Sequence, residues 1–514
     1  MTSTRLDRLT SWHADWSGLR VAVLGLSMTG FSVADTLTEL GAIVTVYSES
    51  ATEDYQRLLS VIGARCVIGP LDAVPADLQD VAPDLVIASP GFAPTHPIIR
   101  WVRAEQIPLW GDLELAWRVR DKVLRADGSP AEWILVTGTN GKTTTTRLAA
   151  TMIAAGGVRT APVGNIGIPV LDAIRDPTGF DVLVIELSSH QLWYLGLQSG
   201  IDPVAPLASV CLNLAEDHLQ WHGSFSAYRN AKAQVYQHTR VACVYNKADP
   251  QTRLMVEEAD VIEGARAIGF DLGVPGPSDL GLVEDILVDR AFLEQRSTSA
   301  LELTSIADLA ERGLSAPHLV ANTLAAAALA RAVDVPPAAI RDGVRSFTLD
   351  PHRVQTVAQE SGVRWVDDSK ATNPHAAASS LAAYPHSIWI VGGQLKGTDI
   401  AALVSAQAAL VKAAIIIGVD RAQIREAFRR HAPDVPVFEI DHAQTEDVMV
   451  QAVSVAAELA DDGDVVLLAP AAASFDQFVS YADRGERFAS AVQAQIVGGS
   501  GDDPDSDSPG NRSL

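Results

Sequence analysis

The stretch Ile134 to Thr146, ILVTGTNGKTTTT, constrains the fold more than any other. An apolar, β-branched run reads as a buried strand; it breaks at two glycines and passes into a Lys-Thr run that reads as the start of a helix. A strand that feeds a glycine turn and then a helix opens a parallel α/β unit, because parallel strands need a crossover between them. The same residues point to phosphate. Glycines let the backbone approach phosphate oxygens, Lys142 can reach the β- and γ-phosphates, a Thr hydroxyl suits Mg²⁺, and the helix N-terminus favours the anion. The loop is shorter than the strict pattern, with Val136 standing five residues before Gly141 where that pattern has a glycine.

Two further segments of the 514-residue chain repeat the strand-turn-helix pattern. The first holds LRVAVLG, AIVTVYS and DLVIASPG; the last holds VRWVDDSKATNP, SIWIVGG, AAIIIGV and DVVLLAPAAASFDQF. The predicted fold class is therefore α/β, with three domains built on mostly parallel sheets flanked by helices: a Rossmann-like domain over 1–121, a nucleotide-binding domain over 122–349 and a second Rossmann-like domain over 350–497. Residues 498–514, GGSGDDPDSDSPGNRSL, are polar and acidic and are expected to be a disordered tail. A net charge of -24 with no Lys/Arg cluster argues against nucleic acid as a partner. The N-terminus lacks a signal-peptide apolar segment and no run is long enough to span a membrane, so a cytoplasmic location is expected. Three widely spaced cysteines suggest neither disulfides nor a thiolate metal site.

Other motifs are read against their structural alternatives. In VLGLSMTG, Gly25 and Gly30 flank Ser27, which stands where a dinucleotide fingerprint has its second glycine, so a nicotinamide cofactor is disfavoured. Ser89 and Gly91 of ASPGF follow a strand at the edge where open sheets bind ligands. Glu186 ends VLVIE and His218 ends NLAEDH, which puts an acid and an imidazole at strand ends beside the phosphate loop; His222 reads as a surface residue. Lys232, from its residues alone, reads as a solvated helix lysine. Asp368 and Lys370 follow a strand, and Thr372 or Asn373 can cap a helix opened by Pro374. Ser474 can cap the helix after DVVLLA. Arg353 of PHR lies at the junction of the second and third domains, where a guanidinium could meet a phosphate.

In order and combination, GTNGKTT, GNIG, ELSSHQL, NLAEDH, YRNAK, PHR, DDSKATN and ASFDQF resemble the Mur ligase family of ATP-dependent amide-forming enzymes, over nearly the whole chain. The resemblance implies that Gly138, Thr139, Asn140, Gly141, Lys142, Thr143 and Thr144 hold ATP, with Asn322 on the adenine side, where the chain departs from relatives in carrying Leu319. It implies two Mg²⁺ ions, one on Thr143 and Glu186 and a second on His218 and a carbamylated Lys232. It places the UDP-sugar on Thr29, Ser89, Gly91, Asn165 and Ser188, and the amino acid on Lys370, Thr372, Lys396, Ser474 and Tyr481. Lys142, Glu186, His218, Lys232, Arg353 and Asp368 would be the catalytic set. Within the family, DDSKATN with ASFDQF implies D-glutamate as the incoming amine and UDP-N-acetylmuramoyl-L-alanine as the acceptor, joined through an acyl phosphate by a monomer whose third domain closes on the second. A sister ligase using another amino acid, an oxidoreductase, and a binding protein without catalysis are the alternatives.

Overall fold

The computed structural model describes residues 5–197, 202–440 and 448–497, in two compact units, Met1–Phe347 and Thr348–Leu514. The first unit contains two sheets. Strands β1 (Arg20–Leu24), β2 (Ile43–Ser48), β3 (Arg65–Ile68), β4 (Leu85–Ala88) and β5 (Leu109–Trp110) pair in the order β3-β2-β1-β4-β5, all parallel. β1 and β4 are buried almost throughout, as the continuous apolar runs VAVL and LVIA require of strands covered on both faces.

The second sheet is built from β6 (Glu132–Thr137), β7 (Thr160–Gly164), β8 (Val182–Glu186), β9 (Ala208–Cys211), β10 (Ala242–Asn246), β11 (Arg266–Phe270), β12 (Asp279–Val283), β13 (Ile286–Asp289) and β14 (Leu301–Ser305). Its order is β14-β13-β12-β11-β10-β9-β6-β8-β7. β6 to β12 pair with one another in parallel, whereas β13 runs antiparallel to both β12 and β14, a meander that the sequence analysis did not foresee. The phosphate-loop strand β6 lies between β8 and β9, at the point where the chain switches direction along the sheet and leaves a crevice at the carboxyl ends. Two helices pack together against this sheet, Lys142–Ala155 and Pro317–Arg331. The second is buried from Leu319 to Ala330 on nearly every face, and its alanines let neighbouring backbones approach closely.

The two sheets belong to one body because polar pairs tie them. Ser32 donates to Asp172 at 2.5 Å, Arg175 reaches Asp35 at 2.6 Å and Glu39 at 2.9 Å, and the Tyr194 hydroxyl donates to the Phe92 carbonyl at 2.6 Å.

The second unit is a single sheet of β15 (Gln355–Glu360), β16 (Val363–Asp367), β17 (Ser387–Gly392), β18 (Val411–Ile417), β19 (Val437–Glu439) and β20 (Val465–Leu468), in the order β15-β16-β20-β17-β18-β19. Only β15 runs antiparallel. Its two faces carry separate apolar cores, one around Trp389 and Phe428, the other around Trp365 and Phe488. The expected acidic tail lies outside the described residues. No helix among those residues is long and apolar enough to cross a membrane.

Candidate active site

β6 ends at Thr137 and the helix begins at Lys142, so Gly138 to Gly141 form the turn. Gly141 has φ +83°, and a Cβ placed there would fall 2.5 Å from Oδ1 of Asn322. Only glycine suits both the backbone and the space. The loop is braced from β9: the Asn140 N–H donates to Oδ1 of Asn213 at 2.9 Å, and Asn213 returns Nδ2 to the Asn140 carbonyl at 3.1 Å. Thr139 shares a hydrogen bond of 2.8 Å with the Tyr228 hydroxyl. Lys142 folds back so that Nζ donates to the carbonyls of Gly138, at 3.0 Å, and Thr139, at 2.9 Å. This glycine turn, with its ammonium and the helix N-terminus that follows it, fits a nucleotide polyphosphate. Thr143 is half-buried in the first helical turn and Thr144 is buried behind it.

β8 brings in Glu186 beside β6. Its carboxyl group is buried; Oε1 accepts from Nδ2 of Asn165 at 3.1 Å, while Oε2 has no hydrogen-bond partner. A buried, unpartnered carboxylate oxygen is costly alone and fits a cation. Lys232 is wholly buried rather than solvated. Its Nζ donates to the Gly138 carbonyl at 2.8 Å and to Oγ1 of Thr137 at 3.2 Å, and burial first, then the charge of Lys142, brings its pKa down to about 7. His218 caps a short helix in the left-handed conformation, φ +53°, with Nε2 3.5 Å from Asp217. His190 lies against it, with ring centroids 4.6 Å apart, and His222, read from sequence as a surface residue, is buried and shares a hydrogen bond of 3.0 Å with Ser189. Among the described residues, no group of three or more His, Cys, Asp or Glu converges as a ready metal cage.

On the other sheet of this unit, Ser89 packs on the first glycine turn, its Oγ donating to the Gly25 carbonyl at 3.4 Å, and a Cβ on Gly25 would meet that Oγ at 2.9 Å. Gly91 is exposed and Thr29 half-buried near the start of the helix Met28–Glu39. Ser188 caps the helix Ser189–Leu195 in a capping box with Gln191, whose Nε2 continues to the buried Asp112 at 3.2 Å. Sequence reading missed Asn213, Tyr228 and His190. Asn213 opens NLAEDH immediately after a buried strand, the one signal that could have marked it.

In the second unit, Arg353 sits between two residues in the left-handed region, His352 at φ +64° and Val354 at φ +49°. For a β-branched valine that conformation is costly, so surrounding contacts must impose it. They do: His352 Nδ1 bonds to the buried Asp367 at 2.6 Å, and the Val354 N–H donates to Oδ1 of Asp368 at 3.3 Å. Asp368 also accepts from the Ser380 hydroxyl, and burial raises its pKa to about 6. Its carboxylate anchors the Arg353 segment. The Arg353 guanidinium is 3.5 Å from Asp350. Lys370 places Nζ 3.8 Å above the Tyr481 ring, which brings those two together; Lys396 lies 5.4 Å from the ring centroid of Phe475. Asn373, not Thr372, caps the helix Pro374–Ala383. Ser474 does not cap the helix after its strand, because that helix starts only at Tyr481 and is capped by Ser480; the carbonyl of Ser474 instead closes the turn by accepting from the N–H groups of Gln477 and Phe478.

Comparison with known proteins bears on these two sets of residues. Residues 136–330 match the family model described as the Mur ligase middle domain, and residues 352–472 match the Mur ligase glutamate ligase domain. A Leifsonia xyli protein named UDP-N-acetylmuramoylalanine--D-glutamate ligase is 58% identical over 99% of this chain and 98% of its own length. The chain belongs to the Mur ligase family. A Streptomyces coelicolor protein of the same name is 48% identical, with 93% of this chain and 99% of the relative covered. Among solved structures, the Mur ligase fold is matched by MurF from Thermotoga maritima in complex with ADP, at TM-score 0.52 and 18% identity, covering 93% of this chain and 96% of that one. A pseudomurein peptide ligase type C from Methanothermus fervidus aligns at TM-score 0.54 and 14% identity, over 92% and 99% of the two chains. The fold class read from the sequence, and the family, thus hold.

Proposed function

We propose that the chain is an ATP-dependent, ADP-forming ligase that joins D-glutamate to UDP-N-acetylmuramoyl-L-alanine in the synthesis of peptidoglycan precursors. The observation that carries this reading is the end-to-end likeness, at 58% identity, to a ligase of that name.

A carboxylate is a poor electrophile, so it must become an acyl phosphate before an amine can displace phosphate from it. In this reading the acceptor's alanyl carboxylate attacks the γ-phosphate, and the D-glutamate amine attacks the acyl phosphate. The loop N–H groups from Gly138 to Thr144 orient the polyphosphate, and Lys142 exchanges its two carbonyl partners for phosphate oxygens. Asn322 stands beside Gly141 toward the base. Thr143 and Glu186 would hold one Mg²⁺, and His218 with a carbamylated Lys232 a second; bound there, the ions supply neutralisation of phosphate charge. The low pKa of Lys232 supports its modification, since only the neutral amine adds CO₂, forming an N–C bond and releasing a proton. Arg353, held by the Asp368 anchor, meets the transferred phosphate. Lys370, Thr372, Lys396, Ser474 and Tyr481 receive D-glutamate, and Thr29, Ser89, Gly91, Asn165 and Ser188 receive the UDP-sugar. The division of labour follows domains 1–121, 122–349 and 350–497, in a cytoplasmic monomer.

The test is phosphate release with ATP, Mg²⁺ and UDP-N-acetylmuramoyl-L-alanine, with D-glutamate, L-glutamate, L-alanine or meso-diaminopimelate supplied in parallel. Release with D-glutamate alone, lost in Lys142→Ala, is the expected outcome. Release with another amino acid would overturn the substrate, and none with any would overturn the ligase reading.

A further inference from the structure

The first unit holds a cavity of about 1020 Å³ at the edge of the second sheet opposite the phosphate loop. Glu132, Val182 and Arg266, each the first residue of a parallel strand, line it, whereas the loop follows the last residue of β6. Six residues of β6 at ~3.3 Å each put roughly 20 Å between the two. The volume is that of a metabolite site.

Its formal lining charge is balanced, four arginines against four acids, so the arrangement of those charges decides what it can hold. Arg331 is paired with the buried Asp289 at 2.9 Å, and Arg125 lies 3.5 Å from Glu132, which also takes Arg240. Of the remaining acids, Asp181 accepts the Arg159 N–H at 3.1 Å, and Glu294 and Asp334 are exposed. That leaves Arg266 and Arg296, neither of which forms an ion pair among the described residues. Arg266 is held without being neutralised. The Arg266 guanidinium donates to the Ala291 carbonyl at 2.5 Å, and the Arg296 carbonyl is fixed by the Arg290 guanidinium at 3.0 Å. Asp289 organises this wall by accepting the N–H groups of Ala291 and Phe292, at 2.7 and 2.9 Å. Burial, and next the positive charge of Arg296, hold the Arg266 pKa below its usual value. Two guanidiniums that line one half-buried wall without a paired acid repel each other, and an oxyanion bridging them would remove that cost while using their N–H donors.

We infer that this cavity is a second ligand site, for a small polyvalent oxyanion of oligophosphate or polycarboxylate chemistry, bridged by Arg266 and Arg296. The inference is independent of the ligase reading. Helix Pro317–Arg331 joins the two regions, with Asn322 at the phosphate loop and Arg331 in the cavity wall.

The experiment titrates pyrophosphate, and separately citrate, by calorimetry into the full chain without Mg²⁺. Four proteins are compared: unaltered, Lys142→Ala, Arg266→Gln/Arg296→Gln and Arg296→Glu. Lys142→Ala is expected to keep a binding event that both arginine variants weaken at least about tenfold, the loss of one charge-assisted contact. Arg296→Glu also supplies Arg266 with a carboxylate, so it should melt higher than the unaltered chain and no longer be stabilised by pyrophosphate. Citrate matching pyrophosphate would mark a general polyanion site, and citrate failing to bind would mark a phosphate site. Indistinguishable isotherms for the unaltered chain and the arginine variants with both anions, or no binding left in Lys142→Ala, would overturn the inference.

Discussion

Gly141→Ala tests whether the phosphate loop is shaped by its own backbone or by its neighbour. Two costs are separable. At φ +83° an alanine sits in the left-handed region, which costs about 1–2 kcal/mol. Its Cβ would also lie 2.5 Å from Oδ1 and 3.0 Å from Cγ of Asn322, a buried residue on a helix packed on nearly every side, so the amide must shift by several tenths of an ångström. Overpacking of that kind costs about 1–3 kcal/mol. The sum, about 2–5 kcal/mol, falls on the N–H groups that would face phosphate, and at 1.4 kcal/mol per decade it should weaken MgADP binding by at least about tenfold. Asn322→Ala removes the steric part and leaves the backbone part. Calorimetric MgADP affinities of the two single variants and the double variant should therefore be non-additive by about 1–3 kcal/mol, the double binding better than Gly141→Ala alone. Affinity unchanged in Gly141→Ala, or a double variant no better than that single one, would refute the reasoning.

Glu186→Gln should lower the rate of phosphate release by at least about 100-fold, because the buried oxygen proposed to meet the cation becomes a neutral amide, while thermal melting stays level or rises as an unpartnered buried charge is removed. Tyr228→Phe should cost about 1 kcal/mol in the melt through loss of its bond to Thr139, with activity reduced far less than in Glu186→Gln. Asp368 has a folded pKa of about 6 against 3.8 for an unperturbed group, so the unfolded chain ionises first as pH rises. Its contribution is therefore fully present below about pH 4 and is lost as pH rises to about 6, a change of roughly 3 kcal/mol. In Asp368→Asn this slope should vanish from the denaturation midpoint of the second unit measured between pH 4 and 6.

The phosphate loop was legible because its chemistry is local: strand, glycines, lysine and threonine are contiguous, and each neighbour in sequence is a neighbour in space. Glu186 was legible for a related reason, as the last residue of a buried strand. Lys232 was not. It stands in the last turn of a helix with polar residues on several faces, and its burial is decided by Tyr228 and by the Gly138 carbonyl, 94 residues away in the chain. His222 misled in the same way, being buried by His190 and Ser189 from another helix. The cap at Ser474 failed because small residues after a strand signal a turn but not its length; six residues intervene before Tyr481. The antiparallel meander of β12 to β14 escaped because short, irregular strands lack the continuous apolar run that marked the parallel ones.

The reciprocal amide pair between Asn140 and Asn213 bears on timing. Because the turn is clasped in its working shape from within the fold, a nucleotide arriving there has little backbone to order, and association need not wait for a loop to rearrange. Exchange of spent for fresh nucleotide is then governed by how fast the old one departs. Cutting the clasp with Asn213→Ala would shift that control to the association rate, a change visible in stopped-flow traces even where the equilibrium constant moves little.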